Sequence, residues 1–222
     1  MLRVRGISAH AQHICCGFPV SRRDHVNIPV KVIVGLGNPG HNYHDTRHNV
    51  GFCVIQWLAE RHGVALLRRL VNPADGRPAA VCGDYQEGSQ AVRLLMPLTM
   101  MNESGEALKT AEAALRDVLV VCDDVNLPLG VLRLRSEGSA GGHHGLQSCL
   151  DALGTDQFPR LRLGVGAAEM PRDLTDFVLS PFHSAERPLM KQMIAQAAEA
   201  CETWVKEGMD VAMNRYNRAQ QT

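Results

Sequence analysis

"VIVGLGNPGHNYHDTRHNVGF", residues 32–52, sets the fold and poses the functional question together. The run "VKVIVGL", residues 30–36, is short, β-branched and ends near glycine, which reads as a buried strand. From Asn49 to His62, Val50, Val54, Trp57, Leu58 and Arg61 recur at helical spacing, and Gly63 is a natural stop. Between strand and helix lie Gly35, Gly37 and Gly40, followed by His41, His44 and His48 with Asp45 and Arg47 among them. Three chemistries compete for such a loop: a phosphate cradle, a metal site, and a histidine doing acid–base work.

Outward from this stretch the chain alternates. "AAVCGDY" and "AVRLLMP" read as strands joined by the polar turn "QEGSQ". A helix is expected from about Asn102 to Leu115 with Asn102 as its N-cap, then a buried strand "DVLVVCDD", residues 117–124. "GVLRLRSEG" places Leu132 and Leu134 on one face and Arg133 and Arg135 on the other; "RLRLGVG", residues 160–166, repeats that alternation with Arg160 and Arg162. Helices are expected near Leu146–Leu153 and, amphipathic and long, over about Ser184–Gly208. Strands alternating with helices imply an α/β sheet covered on both faces.

The chain has 222 residues, 45% hydrophobic and 21% charged, which suits one compact domain with a real core. Lys+Arg and Asp+Glu are 23 each, so the balance argues against sequence-blind coating of nucleic acid while leaving room for a local basic patch. Seven scattered cysteines without a C-x-x-C pair read as free thiols in a reducing compartment. No apolar run approaches ~18 residues, so no spanning helix is expected; a cytoplasmic location is expected, or an organellar one if the Arg-rich start is a transit peptide. The start differs: Arg3, Arg5, Arg22 and Arg23 face only Asp24. Residues 1–28 are therefore set apart as a disordered leader, a misassigned start or an organelle transit peptide. The domain is expected over 29–215 and a tail over 216–222.

Gly35-Leu-Gly37-Asn-Pro-Gly40 has the G-x-G-x-x-G spacing. Pro39 lacks an N–H where phosphate would need one, the helix does not open at the last glycine, and Glu60 falls inside a helix rather than at a strand end. His41, His44 and His48 fit no H-E-x-x-H arrangement, and no metal is expected. "GSAGG" is not the G-x-S-x-G of serine hydrolases. A histidine base held by Asp123 or Asp124 at a strand end remains, beside the bland alternative that His48 is merely hydrogen-bonded at a helix start. On residues alone, a hydrolase stays one reading among these.

Four stretches in order, "VGLGNPGHNYHDTRHNVGF", "PLTMMNESGEAL", "DDVNLPLGVLRLRSEGSAGGHHGLQS" and "QFPRLRLGVG", resemble bacterial-type peptidyl-tRNA hydrolase over about residues 30 to 215. The resemblance implies one α/β domain with a twisted mixed sheet flanked by helices, no cofactor, and hydrolysis of the ester joining a peptide to tRNA. It implies peptidyl-tRNA as partner, met at its CCA end and acceptor stem, no membrane, and a monomer. By motif match His48 is the base that activates water, Asp123 its orienting partner, and Asn38 the residue separating N-blocked from free aminoacyl-tRNA. Asn102 would bind the substrate end, with Tyr43, Met100 and His144 as further contacts, and Arg133, Arg135 and Arg162 would meet tRNA phosphates.

Three positions depart from the pattern. His144 stands where the family usually has asparagine, Met100 where an aromatic is common, and Asn126 where an aspartate is usual. None removes the base or its partner. Two readings of other classes remain to set against the enzyme: an organellar RNA-binding relative that lost hydrolysis, and a nucleotide-binding dehydrogenase.

Overall fold

A computed structural model describes residues 30–217. The leader of residues 1–28, with Cys15 and Cys16, and the end of the tail lie outside the described residues. Seven strands form one mixed sheet in the order β2-β3-β4-β1-β5-β7-β6. These are β1 (Lys31–Gly35), β2 (Arg68–Val71), β3 (Pro78–Glu87), β4 (Gln90–Pro97), β5 (Val118–Pro128), β6 (Leu132–Arg135) and β7 (Arg160–Gly166). The four central strands β4, β1, β5 and β7 run parallel, while β2 and β3 on one side and β6 on the other pair antiparallel.

The alternation legible in the sequence sorts the core into two layers. Ile33, Leu119, Val121, Leu161 and Leu163 point to one face, where α1 (Val50–Arg61), α5 (Arg187–Glu207) and α6 (Met209–Tyr216) cover them around Trp204. Val32, Val34, Val118, Val120 and Cys122 point to the other, under α2 (Ser104–Leu108) and α3 (His144–Leu153). Fully buried central strands must be apolar on both faces, which is why β1 and β5 read as continuous hydrophobic runs.

Some expected elements differ. The helix predicted over Asn102–Leu115 is a 3₁₀ turn at Met101–Glu103 followed by the five-residue α2, and Asn102 caps nothing. The helix is cut short where the Thr110 hydroxyl bonds back to the Ala107 carbonyl and Glu112 adopts φ 51°. A short helix α4 (Leu174–Val178) and the edge strand β2 carry too few patterned residues to be read. The C-terminal helix breaks at Gly208, φ 87°, into α5 and α6. Asn217 then hydrogen-bonds both backbone groups of Leu134, occupying the free edge of β6.

The glycines of the opening stretch serve close packing. A Cβ on Gly51 would sit 2.5 Å from the Leu36 carbonyl oxygen and 2.6 Å from that of Val121; one on Gly35 would sit 2.2 Å from the Gly51 oxygen. The start of α1 therefore rests directly on the ends of β1 and β5, carrying His48 and Asn49 with it. Because rigid backbone surrounds the site, Gly51→Ala should cost roughly 2–3 kcal/mol, seen as a lower urea midpoint. A midpoint within experimental error of wild type would refute this packing account.

Candidate active site

The site forms where the parallel strands β1, β4 and β5 end, the usual gathering place for ligands in such sheets. A cleft of about 360 Å³ opens there, lined by Asn38, His48, Asn102, Asp123, His143 and His144 among others. Asn38 comes from the turn after β1, His48 from a 3₁₀ turn at Arg47–Asn49, and Asp123 from within β5. His48 is buried, not displayed on an exposed loop.

His48 Nδ1 lies 2.8 Å from Asp123 Oδ1, and His143 Nε2 lies 2.9 Å from the same oxygen. The Nδ1 of His143 accepts from the Leu146 N–H at 3.1 Å, capping α3. That nitrogen must therefore carry a lone pair, which places the His143 proton on Nε2, donated to Asp123. With His48 likewise donating from Nδ1, its Nε2 keeps the free lone pair a base needs. Burial alone would push the Asp123 carboxyl up, but the two histidines outweigh it and hold the group well below the ordinary carboxylate range. Asp123 is thus an anion throughout the pH range in which a histidine base works.

Asn38 is fixed on three sides. Its N–H donates to Asn49 Oδ1 at 2.8 Å and its carbonyl accepts from Asn49 Nδ2 at 3.0 Å. Its side-chain Oδ1 accepts from the Met101 N–H at 2.8 Å. Since a backbone N–H can only donate, the amide orientation is settled, and the Asn38 NH₂ is left as a donor beside the cleft. Gly37 serves close packing as well: a Cβ there would lie 2.6 Å from the Phe52 ring, so this glycine makes room for that side chain.

Not every expected residue converges. Asn102 and His144 line the cleft and are exposed. Tyr43 and Met100 are absent from its lining. His41 and His44 are exposed, and His44 pairs with Asp45 at 3.1 Å instead of joining His48. Among the described residues, the group whose ligand-type atoms all lie within 4.8 Å of one another is His48, Asp123 and His143. Those atoms are already tied by two hydrogen bonds to one oxygen, and a cation would have to displace both. Burial disfavours the thiolate among the described cysteines, pushing the Cys53 thiol up to about 11 and that of Cys149 to about 12. All five cysteines among the described residues are free.

The arginines divide. Arg133 opposes Arg162, and Arg135 opposes Arg160, across the β6–β7 pair. Arg160 is buried and donates to the carbonyls of Gly138, Ser139, Asp156 and Phe158, pinning the glycine-rich loop that delivers His143. Arg162 lines the cleft and pairs with Asp124 at 3.1 Å. Arg133 is half-buried and Arg135 exposed. Four like charges on one sheet face cost stability unless each is answered, and only the Arg160–Arg162 strand is answered locally.

The peptidyl-tRNA hydrolase family model matches residues 32–222. The chain belongs to the peptidyl-tRNA hydrolase family. It is 42% identical over 192 residues to the peptidyl-tRNA hydrolase of Syntrophomonas wolfei, covering 85% of this chain and all of that one. With the peptidyl-tRNA hydrolase of a Synechococcus strain (JA-3-3Ab) it shares 44% over 195 residues, 86% of this chain and 84% of the other. The crystal structure of the Acinetobacter baumannii peptidyl-tRNA hydrolase superposes with a TM-score of 0.75 at 33% identity, covering 85% of this chain and 95% of that one. The single mixed α/β sheet expected from the sequence is the fold these relatives share. His143 was missed as a site residue: of the two rings in "GGHHGL", the pattern of substitution drew attention to His144, whereas the first residue caps α3 and turns inward.

Proposed function

We propose that this protein hydrolyses the ester bond of peptidyl-tRNA, with His48 as general base. The observation that carries the reading is the Asp123 carboxylate accepting from His48 Nδ1, which leaves Nε2 free in the cleft. Water placed against Nε2 attacks the ester carbonyl while His48 takes its proton. The tetrahedral intermediate collapses by expelling the ribose oxygen, to which His48 returns the proton; the products are a peptide acid and free tRNA. The imidazolium formed in between faces the Asp123 anion. The Asn38 NH₂ and the rim residue Asn102 are donors for the substrate's carbonyls, the first serving to tell an N-blocked aminoacyl group from a free one. His144 offers one further polar contact at the mouth.

The tRNA body is read as lying over Arg133, Arg135 and Arg162. Of these Arg135 is the most exposed and the least committed internally, so Arg135→Ala should weaken tRNA binding and reduce the salt slope of log K by about 0.9. An unchanged slope would return Arg135 to a merely solvated face. Among the described residues no helix is long and apolar enough to cross a membrane; the cytoplasm, where translation leaves peptidyl-tRNA, and action as a monomer belong to the same proposal.

The test is hydrolysis of N-acetyl-aminoacyl-tRNA beside its unblocked counterpart. Release from the blocked substrate alone supports the reading. Tight tRNA binding without release would instead indicate an RNA-binding relative that kept the fold and dropped the chemistry.

A further inference from the structure

Arg47, the residue before His48, is held in an unusual way. Its side chain is 1% exposed, yet only Nη2 has a hydrogen-bond partner, Glu186 Oε2 at 2.6 Å; Nε and Nη1 are buried and find no acceptor. The guanidinium instead lies over two rings, 4.5 Å from the Phe177 centroid and 4.6 Å from that of Phe182. A buried cation with part of its donors unmet is poor value for stability, and an apolar residue would serve packing as well. What a planar cation lying over two ring faces does provide is a fixed relative position for everything it touches.

The three things it touches matter for the cleft. Phe182 belongs to the main core. Phe177 lies on α4, whose Leu174, Thr175 and Val178, with Leu179 just beyond, line the cleft. The Arg47 N–H donates to the Ser180 carbonyl at 3.1 Å and Thr46 bridges Pro181, so the backbone carrying the base is stitched to the end of α4. Alone, α4 is five residues with none buried.

We propose that Arg47 is a positioning residue for the hydrolysis: it registers α4, the apolar wall of the cleft, against the turn that presents His48. The inference rests on the hydrolase reading given above. Glu186, which also accepts the His183 N–H at 2.7 Å, fixes the cation from the far side and anchors the register to the start of α5. Substrate seated against Leu174 and Val178 is thereby placed at a set distance from His48 Nε2.

Two variants separate this role from bulk stability. Phe177→Leu keeps an apolar side chain on a half-buried position but removes the ring from the cation; KM for N-acetyl-aminoacyl-tRNA should rise about tenfold with kcat within about twofold, as for lost positioning of the ground state. Arg47→Lys keeps the charge beside Glu186 but loses the plane; kcat should fall on the order of ten- to a hundredfold, since the base shifts as well. In both, backbone amides of residues 177–180 should exchange hydrogen faster, while the thermal midpoint changes little. Wild-type constants in Arg47→Lys, or losses that track only the unfolded fraction, would overturn the proposal. Hydrogen exchange is read without turnover, so an inactive wild type would defeat the hydrolase reading while the exchange data still decide whether Arg47 holds α4.

Discussion

His48→Ala is expected to lower kcat on N-acetyl-aminoacyl-tRNA by about 10²–10⁴-fold, the range a positioned proton acceptor contributes. The loss should sit in kcat, with KM nearly unchanged, because the ring's role is realised as the water attacks rather than when substrate binds. Asn38, Asn102 and the wall of α4 are untouched by the change and should continue to bind. The ring is buried, so the variant opens a polar void beside Asp123, which keeps His143 as a partner at 2.9 Å. A cost of about 1–2 kcal/mol is expected, leaving the protein folded at assay temperature. If single-turnover hydrolysis by His48→Ala proceeded at the wild-type rate, the base would have to be sought elsewhere.

How far the sequence foretold this site can be judged residue by residue. Asn38 lies just past the continuous apolar run of β1 and Asp123 just past the run Val118–Cys122 of β5, so their nearness was legible from those two buried runs, whereas His48 is placed by the 3₁₀ turn before α1. The glycines around them invited a nucleotide-loop reading because spacing does not say what a missing Cβ makes room for. The contacts at Gly35, Gly37 and Gly51 show the space taken by α1 and Phe52. His143 was invisible for a related reason. In "HH" the residue that turns inward is set by where α3 begins, and its first turn is defined by the His143 ring itself accepting from Leu146. The Arg160 bonds to the Gly138 and Ser139 carbonyls and the Arg47 pair with Glu186 depend on segments meeting across 21 to 139 positions of chain, beyond any local pattern. Likewise "RRLV" at β2 and the short α4 owe their form to neighbours, not to their own periodicity.

Asp123→Asn should be nearly as damaging as removing the base, on the order of 10²–10⁴-fold in kcat, although it changes one atom. Two effects add. Both histidines donate to Oδ1, and the amide can keep that oxygen in place, but it carries no charge to face the imidazolium that forms at His48. If the amide turns instead, its NH₂ meets His48 Nδ1 and forces the proton onto Nε2, which abolishes the free lone pair. Stability carries a second signature. The folded Asp123 carboxyl lies below its unfolded value, so its contribution is present above about pH 4 and is lost as pH falls further. The variant lacks that term, and its stability should be lower at neutral pH but flatter through acid. An Asp123→Asn protein with wild-type kcat would remove the aspartate from the mechanism and leave His48 to act unaided.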